Sequence, residues 1–536
     1  MRPDDSAPTP EPSRARRLGA LALLPLAAVV FAASVVPAKE FTPTELASER
    51  ATPTDTTLTC PGPLAAADVA REAAGTSDAD LQASEAAESV GYRALSLEPD
   101  SNLLYGRTGV SETQVTESGE AKRPLVLALS TADGSPMSGT ATAGEGDFSL
   151  LSDELLGQNL SVTSSSYDGA QPIMDVTQAS VIEGGDFRSF ALSRCVSLGV
   201  ERTFVGLSTA RGDTSTIILT NPSDRAARAS LTVFTDEGVA ARTAASEVVI
   251  APGQSERVLV GALAEGKDDV AVRVSVDGSA LAVHAEVTRR EGLSPRGSEV
   301  IAPQASGLRH VIPGVRIEGG RQARVSILSD SATPATARVR AIGADGSSAG
   351  SEVTAESIAS GATSRVETAG LGDGTYTLVV EADVPVAATA SSVVVGADIE
   401  GATVSAPEDF ASYVPAPAIL NSSVLALAEG GEGGQLALHA ERPASVEIVG
   451  VRADGTLTEP LVRELTEGGG ALVGARDLGV APADLAGLVV VPDAPGVVSG
   501  AWTQVIDAGD SGPVISSVGL ANNNVAAAGM DVRVRP

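Results

Sequence analysis

The stretch "TIILTNPSDRAARASLTVFTDEG", residues 216–238, decides the fold class of this chain. An apolar run enters a polar turn that contains Pro222, a run of alternating apolar and polar residues follows, and an acidic turn closes at Gly238. Alternation with a period of two places the apolar side chains on one face of a strand. Glycine after an acidic residue suits a tight turn, because glycine accepts a positive φ. The stretch therefore predicts two antiparallel β-strands.

The same pattern recurs twice further along the chain. Residues 323–346 read "ARVSILSDSATPATARVRAIGADG", and residues 434–455 read "GQLALHAERPASVEIVGVRADG". The closing glycines, Gly238, Gly346 and Gly455, are spaced 108 and 109 residues apart. Self-similarity at a fixed period indicates a repeated structural unit.

The second half of each unit also recurs, in residues 269–287, 375–393 and 485–505, with valines alternating with polar residues. The middle unit contains about seven strand-like runs, which matches the size of an immunoglobulin-like sandwich. These predicted strands are 311–315, 324–329, 337–343, 352–358, 363–369, 375–382 and 386–395.

The predicted fold class is therefore all-β, with tandem immunoglobulin-like β-sandwich modules. We place repeat 1 at residues 201–307, repeat 2 at 308–410 and repeat 3 at 411–536. Each repeat is expected to open with a related strand, "TFVGLS", "HVIPGV" or "YVPAPA". The final stretch, 514–536, resembles the start of a further unit and is expected to add an edge strand to the last sheet.

Residues 57–200 repeat this plan less clearly. Strand-like runs at 124–131 and 179–195 indicate a diverged β domain. Residues 64–88 are rich in Ala and Glu, so we expect a helical or loose insertion there.

The N-terminal region predicts export. Residues 18–36 contain no charge and are long enough to cross a bilayer as a helix. Arg14, Arg16 and Arg17 precede them, which keeps residues 1–17 in the cytoplasm and places the rest of the chain outside. We expect a single-pass signal-anchor followed by a Pro/Thr-rich stalk over 37–56.

A cleaved signal peptide is the alternative interpretation of the same region. A processing site at Val36-Pro37-Ala38 would remove residues 1–38 and release a secreted protein. The apolar segment is longer than a usual signal core, which favours the uncleaved anchor.

The chain has two cysteines, Cys60 and Cys195. Outside the cell, a lone pair of cysteines is expected to form a disulfide. This bond would close the domain at 57–200 near its two ends. Two cysteines and three scattered histidines are too few ligands for a structural metal site, so no metal or other cofactor is predicted.

The formal net charge of −31 bears on the partners. Nucleic-acid phosphates require a positive protein face, so binding to nucleic acid is disfavoured. Lying flat on anionic lipid is disfavoured for the same reason. The acidic surface is instead typical of a soluble exported domain.

Ser511 is the most conspicuous candidate for chemistry, because "DAGDSGP" (507–513) looks like the serine loop of trypsin-like proteases. Such a serine needs a histidine base and an aspartate. The histidines, His284, His310 and His439, do not stand in the sequence context of a protease histidine. Asp, Gly, Ser and Pro are what a tight turn requires, so we interpret the stretch as a turn and predict no catalytic residue.

Three other stretches have weaker claims to a function. "GALAEGKD" (261–268) has the spacing of a phosphate loop, but Asp268 stands where a hydroxyl residue is needed, so no nucleotide is expected. "ARGDTS" (210–215) contains an integrin-type tripeptide, which we interpret as a turn between two strands. Trp502 could stack on a sugar, but its apolar strand context favours a core position.

Three quoted stretches together resemble a known family. They are "TLTCPGP" (57–63), "RCVSLGVERTFVGLSTARGDTSTIILTNPSDRAARASLTVFTDEG" (194–238) and "VIAPGQS" (249–255). This pattern is similar to an uncharacterised family of exported, membrane-anchored actinobacterial proteins, catalogued only as a domain of unknown function. Phe204 stands where the family pattern would place a Trp. The resemblance implies a high-GC bacterial origin and carries no substrate, cofactor or catalytic residue.

These observations predict a non-catalytic structural or interaction protein of the cell envelope, anchored in the membrane by one helix and presenting β-sandwich modules outside the cell. The partner would be an envelope protein or polysaccharide. The alternative is a carbohydrate-binding or accessory subunit in cell-wall polymer assembly.

Overall fold

A computed structural model describes residues 48–51, 55–64, 89–97, 126–131, 135–137, 141–143, 148–156, 160–165, 173–292, 294–344, 346, 348–397, 405–522 and 530–533. The predicted cytoplasmic tail, the signal-anchor at 18–36 and nearly all of the predicted insertion at 64–88 lie outside these residues. Within them, no helix has the length and apolar character needed to cross a membrane.

The chain divides into two compact units. In the smaller unit, strand β1 (Ser48–Ala51) pairs antiparallel with the last strand, β35 (Met530–Arg533). Part of the segment predicted as a stalk, 37–56, is therefore a paired strand. The larger unit, Thr52–Gly529, is called the body here.

The first module of the body has two antiparallel sheets, in the orders β10-β9-β3-β7-β6 and β2-β8-β4-β5. Its strands are β2 (Asp55–Thr59), β3 (Ser89–Leu97), β4 (Val126–Thr131), β5 (Pro136–Met137), β6 (Ala141–Ala143), β7 (Phe148–Leu156), β8 (Leu160–Ser165), β9 (Ile173–Ile182) and β10 (Ser189–Arg194). The predicted disulfide is confirmed, because Cys60 and Cys195 are bonded and buried.

The second module follows the same plan. Its sheets have the orders β11-β17-β13-β14, with β15 also on β13, and β16-β12-β18-β19. The strands are β11 (Glu201–Leu207), β12 (Thr214–Thr220), β13 (Ala227–Thr235), β14 (Gly238–Val239), β15 (Glu247–Ile250), β16 (Ser255–Leu259), β17 (Val270–Gly278), β18 (Ala282–Glu291) and β19 (Ser294–Ile301).

In the third module a single long strand joins the two sheets. Its strands are β20 (Gly307–Ile317), β21 (Arg324–Ser329), β22 (Ala335–Gly343), β23 (Ser348–Ile358), β24 (Ala362–Glu367), β25 (Gly374–Val395) and β26 (Glu408–Tyr413). The first half of β25 pairs with β20 and β22, and its second half pairs with β21 and β26. The two predicted runs at 375–382 and 386–395 are thus one strand, because the residues between them stay extended and carry the chain from one sheet to the other.

The fourth module has the sheet orders β27-β32-β29-β30 and β31-β28-β33-β34. Its strands are β27 (Ser423–Ala426), β28 (Gly434–Ala440), β29 (Ala444–Arg452), β30 (Leu461–Leu465), β31 (Gly470–Gly474), β32 (Leu485–Pro492), β33 (Val498–Asp507) and β34 (Pro513–Gly519). β34 is the edge strand that the sequence predicts for the last sheet. Short 3-10 turns lie at Ala244–Ser246, Val260–Ala262, Ala475–Leu478, Pro482–Asp484 and Gly509–Ser511.

All of these modules share one strand order. If the strands of the fourth module are numbered from one to eight in chain order, one sheet has the order 1-6-3-4 and the other has the order 5-2-7-8. The corresponding strands of the other modules pair in the same way. The first module is therefore a further copy of the repeated unit, and the all-β class is confirmed.

The expected opening strand of repeat 3 is wrong. The run "YVPAPA" begins at Tyr413, which is the last residue of β26 and pairs with β25 in the third module. Pro415 and Pro417 have no N–H to give to a sheet ladder. The fourth module opens instead at Ser423.

The glycines that mark the repeat have the backbone conformation expected of them. φ is +115° at Gly238, +80° at Gly346 and +85° at Gly455. Gly346 and Gly455 lie in the turn that follows the third strand of their module, and Gly238 closes the corresponding turn as the first residue of β14. A residue with a Cβ would be strained at each of these positions.

Candidate functional site

The last strands of the modules meet at the centre of the body. β10, β19, β26 and β34 each form one edge of their own sheet, and we call them the central strands. They contact one another in a cycle: β10 packs on β19, β19 on β26, β26 on β34, and β34 on β10. Strand edges that would otherwise present unpaired backbone groups are covered in this way by neighbouring modules.

Asp409 on β26 connects three modules through one carboxyl group. Its Oδ2 atom accepts hydrogen bonds from the backbone N–H of Phe190 at 3.1 Å and of Ile515 at 2.8 Å. Phe190 lies on β10 and Ile515 on β34. The Asp409 side chain is fully buried, so water would not accept these two hydrogen bonds if the carboxyl group were removed.

Glu299 on β19 makes the matching connection. The Ser516 hydroxyl donates to Glu299 Oε2 at 2.8 Å and accepts from the backbone N–H of Leu192 at 2.8 Å. One serine of the fourth module thus joins the first module to the second.

Burial raises the pKa of both Glu299 and Asp409 well above the ordinary range. For Glu299, the bond from Ser516 opposes this shift, whereas the negative charge of Asp409 adds to it. For Asp409, the backbone N–H groups and the charge of Arg188 oppose it. The central strands are therefore built around two carboxyl groups that resist ionisation.

The Glu299 carboxyl makes the free energy of unfolding depend on pH, and the direction of this dependence can be tested. A carboxyl whose pKa is raised by folding contributes stability below its unfolded pKa, near 4.5, and that contribution is lost as the pH rises through the folded value. We expect Glu299→Gln to reduce the loss of stability between pH 4.5 and pH 8, measured by urea unfolding at each pH. The exposed Glu265→Gln is the control; equal pH slopes in the two variants would contradict the assignment.

Gly297 lets β19 approach Asp409. Its φ is +90°, and an added Cβ would lie 3.0 Å from Asp409 Cα and overlap the carboxyl group. We expect Gly297→Ala to cost about 2–4 kcal/mol, since overpacking costs about 1–3 and the positive φ about 1. Gly292→Ala is the control, because Gly292 also has a positive φ but nothing within 4 Å. Thermal unfolding that ranks the two variants as equal would contradict a close contact at Gly297.

Arginines reinforce the contacts around the central strands. Arg188 donates to the carbonyls of Gly512 and Pro513 at 2.6 and 2.7 Å. Arg194 pairs with Asp175 at 2.5 Å and donates to the carbonyl of Gly519 at 2.6 Å. Both arginines belong to the first module, and the carbonyl groups of Gly512, Pro513 and Gly519 belong to the fourth. These hydrogen bonds therefore join the two modules.

A cleft of about 800 Å³ opens beside the central strands, and all of the modules or their connections contribute to it. Its walls are largely apolar, and its polar residues include Arg194, Arg202, His284, Ser412 and Asn522. The apolar walls are formed by Leu58, Met174, Leu192, Val196, Val300, Ile301, Ala302, Pro303, Val414, Pro415, Pro417, Val518, Leu520 and Ala521. This size is typical of small-molecule sites in proteins.

Several polar atoms around the cleft have no hydrogen-bond partner among the described residues. They are Nδ1 and Nε2 of His284, Nε of Arg202, Oγ of Ser412 and Oδ1 of Asn522. His284 is 2 % exposed, and buried polar atoms without partners are rare in folded proteins. We therefore take this cleft as the candidate functional site.

Burial lowers the pKa of His284 to about 3, and the charge of Arg202 lowers it further. The backbone of Thr59 opposes the shift, although it makes no hydrogen bond of regular geometry with either ring nitrogen. His284 is thus neutral at physiological pH, with one ring nitrogen able to donate and the other able to accept.

The structure scatters the other residues that the sequence singles out. Ser511 lies in the 3-10 turn between β33 and β34. His310 on β20 bonds the carbonyl of Val386 at 2.6 Å, and His439 is buried on β28. Trp502 is fully buried and donates to Gln504 at 3.2 Å, so it fills the core of the fourth module. Of the three histidines, only His284 lines the cleft.

Residues 210–213 and 261–268 lie in connections of the second module, and residues 214–215 begin β12. Asp213 accepts from the Ser208 hydroxyl at 2.6 Å, so its carboxylate is held within its own loop. Within the described residues, no group of three or more His, Cys, Asp or Glu side chains could hold a metal ion.

Comparisons with known proteins bear on the family. No curated protein matches the chain. One solved structure, titled "Structural insight into host cell surface retention of a 1.5-MDa bacterial ice-binding adhesin", is similar at 10 % identity over 61 % of this chain and 98 % of that chain, with a TM-score of 0.10. That TM-score is too low to indicate a shared fold. A family model described as a family of unknown function, DUF5719, matches residues 152–510, and the chain therefore belongs to that family.

Proposed function

We propose that this protein is a non-catalytic interaction protein of the cell envelope, in which the β-sandwich modules are held outside the cell as one body. The observation that carries the proposal is the cycle of contacts among β10, β19, β26 and β34. Independent modules on flexible linkers would present their surfaces in changing orientations. Modules joined by buried hydrogen bonds keep their exposed sheet faces in fixed positions, which suits recognition of an extended partner.

The disulfide supports a location outside the cytoplasm. Bonds such as Cys60–Cys195 persist in oxidising compartments and are rare in the cytosol. Together with the charge-free segment at 18–36, the disulfide supports a single-pass membrane protein with its N-terminus in the cytoplasm. If residues 1–38 are cleaved, the same body is secreted.

The modules are proposed to be immunoglobulin-like in architecture. Each contains two antiparallel sheets, and the second, third and fourth modules each occupy about 100 residues. Many cell-surface domains share this plan without sharing strand order. An actinobacterial origin is proposed from the Arg-over-Lys and Ala/Gly/Val bias and from the sequence resemblance.

Binding to a polysaccharide is the alternative, and the cleft does not favour it. Trp502 is buried in the core, and the described residues that line the cleft include no Phe, Tyr or Trp side chain on which a sugar could stack. A protein partner is therefore proposed first.

Proximity labelling in intact cells tests the function. A peroxidase fused after Pro536 of the full chain should label a set of envelope proteins that is absent when residues 1–56 alone carry the peroxidase. Identical sets would contradict a role for the body in binding. Retention of the purified full chain on peptidoglycan or arabinogalactan would favour the carbohydrate alternative.

The N-terminal segment makes a separate prediction. We expect the protein extracted from membranes to retain residues 1–17, because the apolar segment exceeds a normal signal core. Mass spectrometry of the N-terminal peptide shows whether residues 1–17 are present in the mature protein. A mature protein that starts after Ala38 would instead show that the chain is secreted.

A further inference from the structure

We propose that the cleft beside the central strands binds a small amphipathic organic anion, an apolar body that carries one carboxylate, with Arg202 as its counter-ion. This inference goes beyond the proposed function, which concerns macromolecular partners. Whether the cleft binds a small molecule does not depend on which partner the exposed sheets recognise.

The volume and the walls of the cleft set the size and character of the ligand. A cavity of about 800 Å³ accommodates a molecule of drug-like dimensions. Its apolar lining includes Leu58 and Val300, from the first and second modules, and Val414 and Leu520, which follow the last strands of the third and fourth modules. Its rim includes the exposed Ser197 and Pro417, so the cleft can be reached from solvent. An apolar body of the ligand would bury surface against every wall.

The charge of the cleft selects the ionic group. The only described carboxylate in the lining is Asp175, which is engaged by Arg194 at 2.5 Å and by the backbone N–H of Ala426 at 2.9 Å. Arg202 makes no ion pair with a described carboxylate, and its guanidinium donates only to the carbonyls of Glu201 and Ser197. The cleft is thus locally positive in a chain of net charge −31.

Burial lowers the pKa of Arg202, and no nearby carboxylate offsets this cost. An arginine that is partly desolvated and unpaired gains from a ligand that supplies an anion. Its Nε–H is buried and unpartnered, so a donor remains available.

His284 completes the polar side of the site. Neither of its buried ring nitrogens makes a hydrogen bond of regular geometry with a described residue, and the imidazole lies close enough to Arg202 for the guanidinium charge to lower its pKa. A neutral imidazole can donate one hydrogen bond to a carboxylate oxygen. A carboxylate can therefore satisfy Arg202 and His284 together, whereas an amine or an apolar molecule leaves the guanidinium unpaired.

Three probes of one shape test the charge preference on the full-length protein. We expect 4-phenylbutyrate to bind saturably with one molecule per chain in equilibrium dialysis. 4-Phenylbutanol should bind at least 10-fold more weakly and 4-phenylbutylamine more weakly still. Equal affinity for the acid and the alcohol, or no saturable binding of the acid, would overturn the proposal.

Arg202→Gln tests the counter-ion. We expect this variant to lose about 10-fold in affinity for 4-phenylbutyrate and to keep its affinity for the alcohol. Arg257→Gln, at an exposed arginine of β16 that does not line the cleft, removes the same charge and should bind as the unsubstituted protein does. Both variants are prepared in the same detergent, so partition of the probe into detergent contributes equally to the two measurements and does not affect their difference. Equal losses in the two variants would show a general charge effect and overturn the assignment.

Ala302→Trp locates the site without removing a charge. Ala302 is half-buried on the cleft wall, so a Trp side chain there should fill the cleft and abolish saturable binding of the acid. The thermal unfolding midpoint of each variant shows that it is folded. A folded Ala302→Trp protein that binds 4-phenylbutyrate normally would place the bound molecule elsewhere and overturn the proposal.

Discussion

Asp409→Ala is expected to lower the free energy of unfolding by about 2–6 kcal/mol. The substitution leaves the buried N–H groups of Phe190 and Ile515 without an acceptor. Each buried group left unsatisfied costs about 1–3 kcal/mol. Because these N–H groups belong to the first and fourth modules and Asp409 to the third, the loss should appear at the contacts between modules. Urea unfolding followed by circular dichroism measures the change.

Asp409→Asn is the matched control. Its amide oxygen can accept the same two hydrogen bonds, and its NH₂ group takes the place of Oδ1, which has no partner among the described residues. The carboxyl already resists ionisation, since burial raises its pKa. We therefore expect the Asn variant to retain most of the stability that the Ala variant loses. Equal losses in the two variants would show that the acceptor oxygen of Asp409 does not hold the modules together.

Removing the disulfide, in the double variant Cys60→Ala and Cys195→Ala, is expected to cost about 5 kcal/mol. The bond closes a loop with a sequence separation of 135, and in the chain-entropy model a loop of about that length stabilises the folded state by about 5 kcal/mol. The expected loss is concentrated in the first module. Cys60 directly follows β2 and Cys195 directly follows β10, so the bond also fixes one of the central strands.

Reduction of the unsubstituted protein provides an independent check. The sequence contains two cysteines, so a reductant acts on this bond alone. We expect reduced protein and the double variant to unfold at the same urea concentration, well below that of the oxidised protein. If the oxidised protein and the double variant share one midpoint, the first module is held by its sheets and not by the bond.

The strands could be predicted from the sequence because their signal is local. Val272, Val274 and Val276 alternate with polar neighbours, and the structure buries all three in the core of the second module. The sequence also predicts the turns at Gly238, Gly346 and Gly455, since an acidic residue followed by glycine favours a tight turn. The disulfide followed from a count of two cysteines in a chain expected outside the cell.

The contacts between modules could not be predicted in this way. Asp409 stands in "PEDFASY", where an acidic pair before a short apolar run is typical of a solvated turn. Its burial depends on N–H groups 219 residues earlier and 106 residues later in the chain. No local pattern reports such a contact, and the burial of Glu299 was hidden for the same reason.

The cleft was also beyond sequence reasoning. Arg202 and His284 lie far apart in the chain, and each resembles an ordinary strand residue. They become a candidate site only when the connection at Cys195–Ser197 and the residues after β34 close around them. Unpartnered buried atoms are a property of the folded protein, and composition gives no sign of them.

Hydrogen exchange of the full chain in increasing urea, read by mass spectrometry, tests most directly whether the modules form one body. The account predicts that peptides covering β10, β19, β26 and β34 lose protection at one common urea concentration, which Asp409→Ala lowers for all of them together. If β34 or β10 exchanges at a lower urea concentration while β19 and β26 stay protected, the modules unfold independently, and the central strands do not unite them.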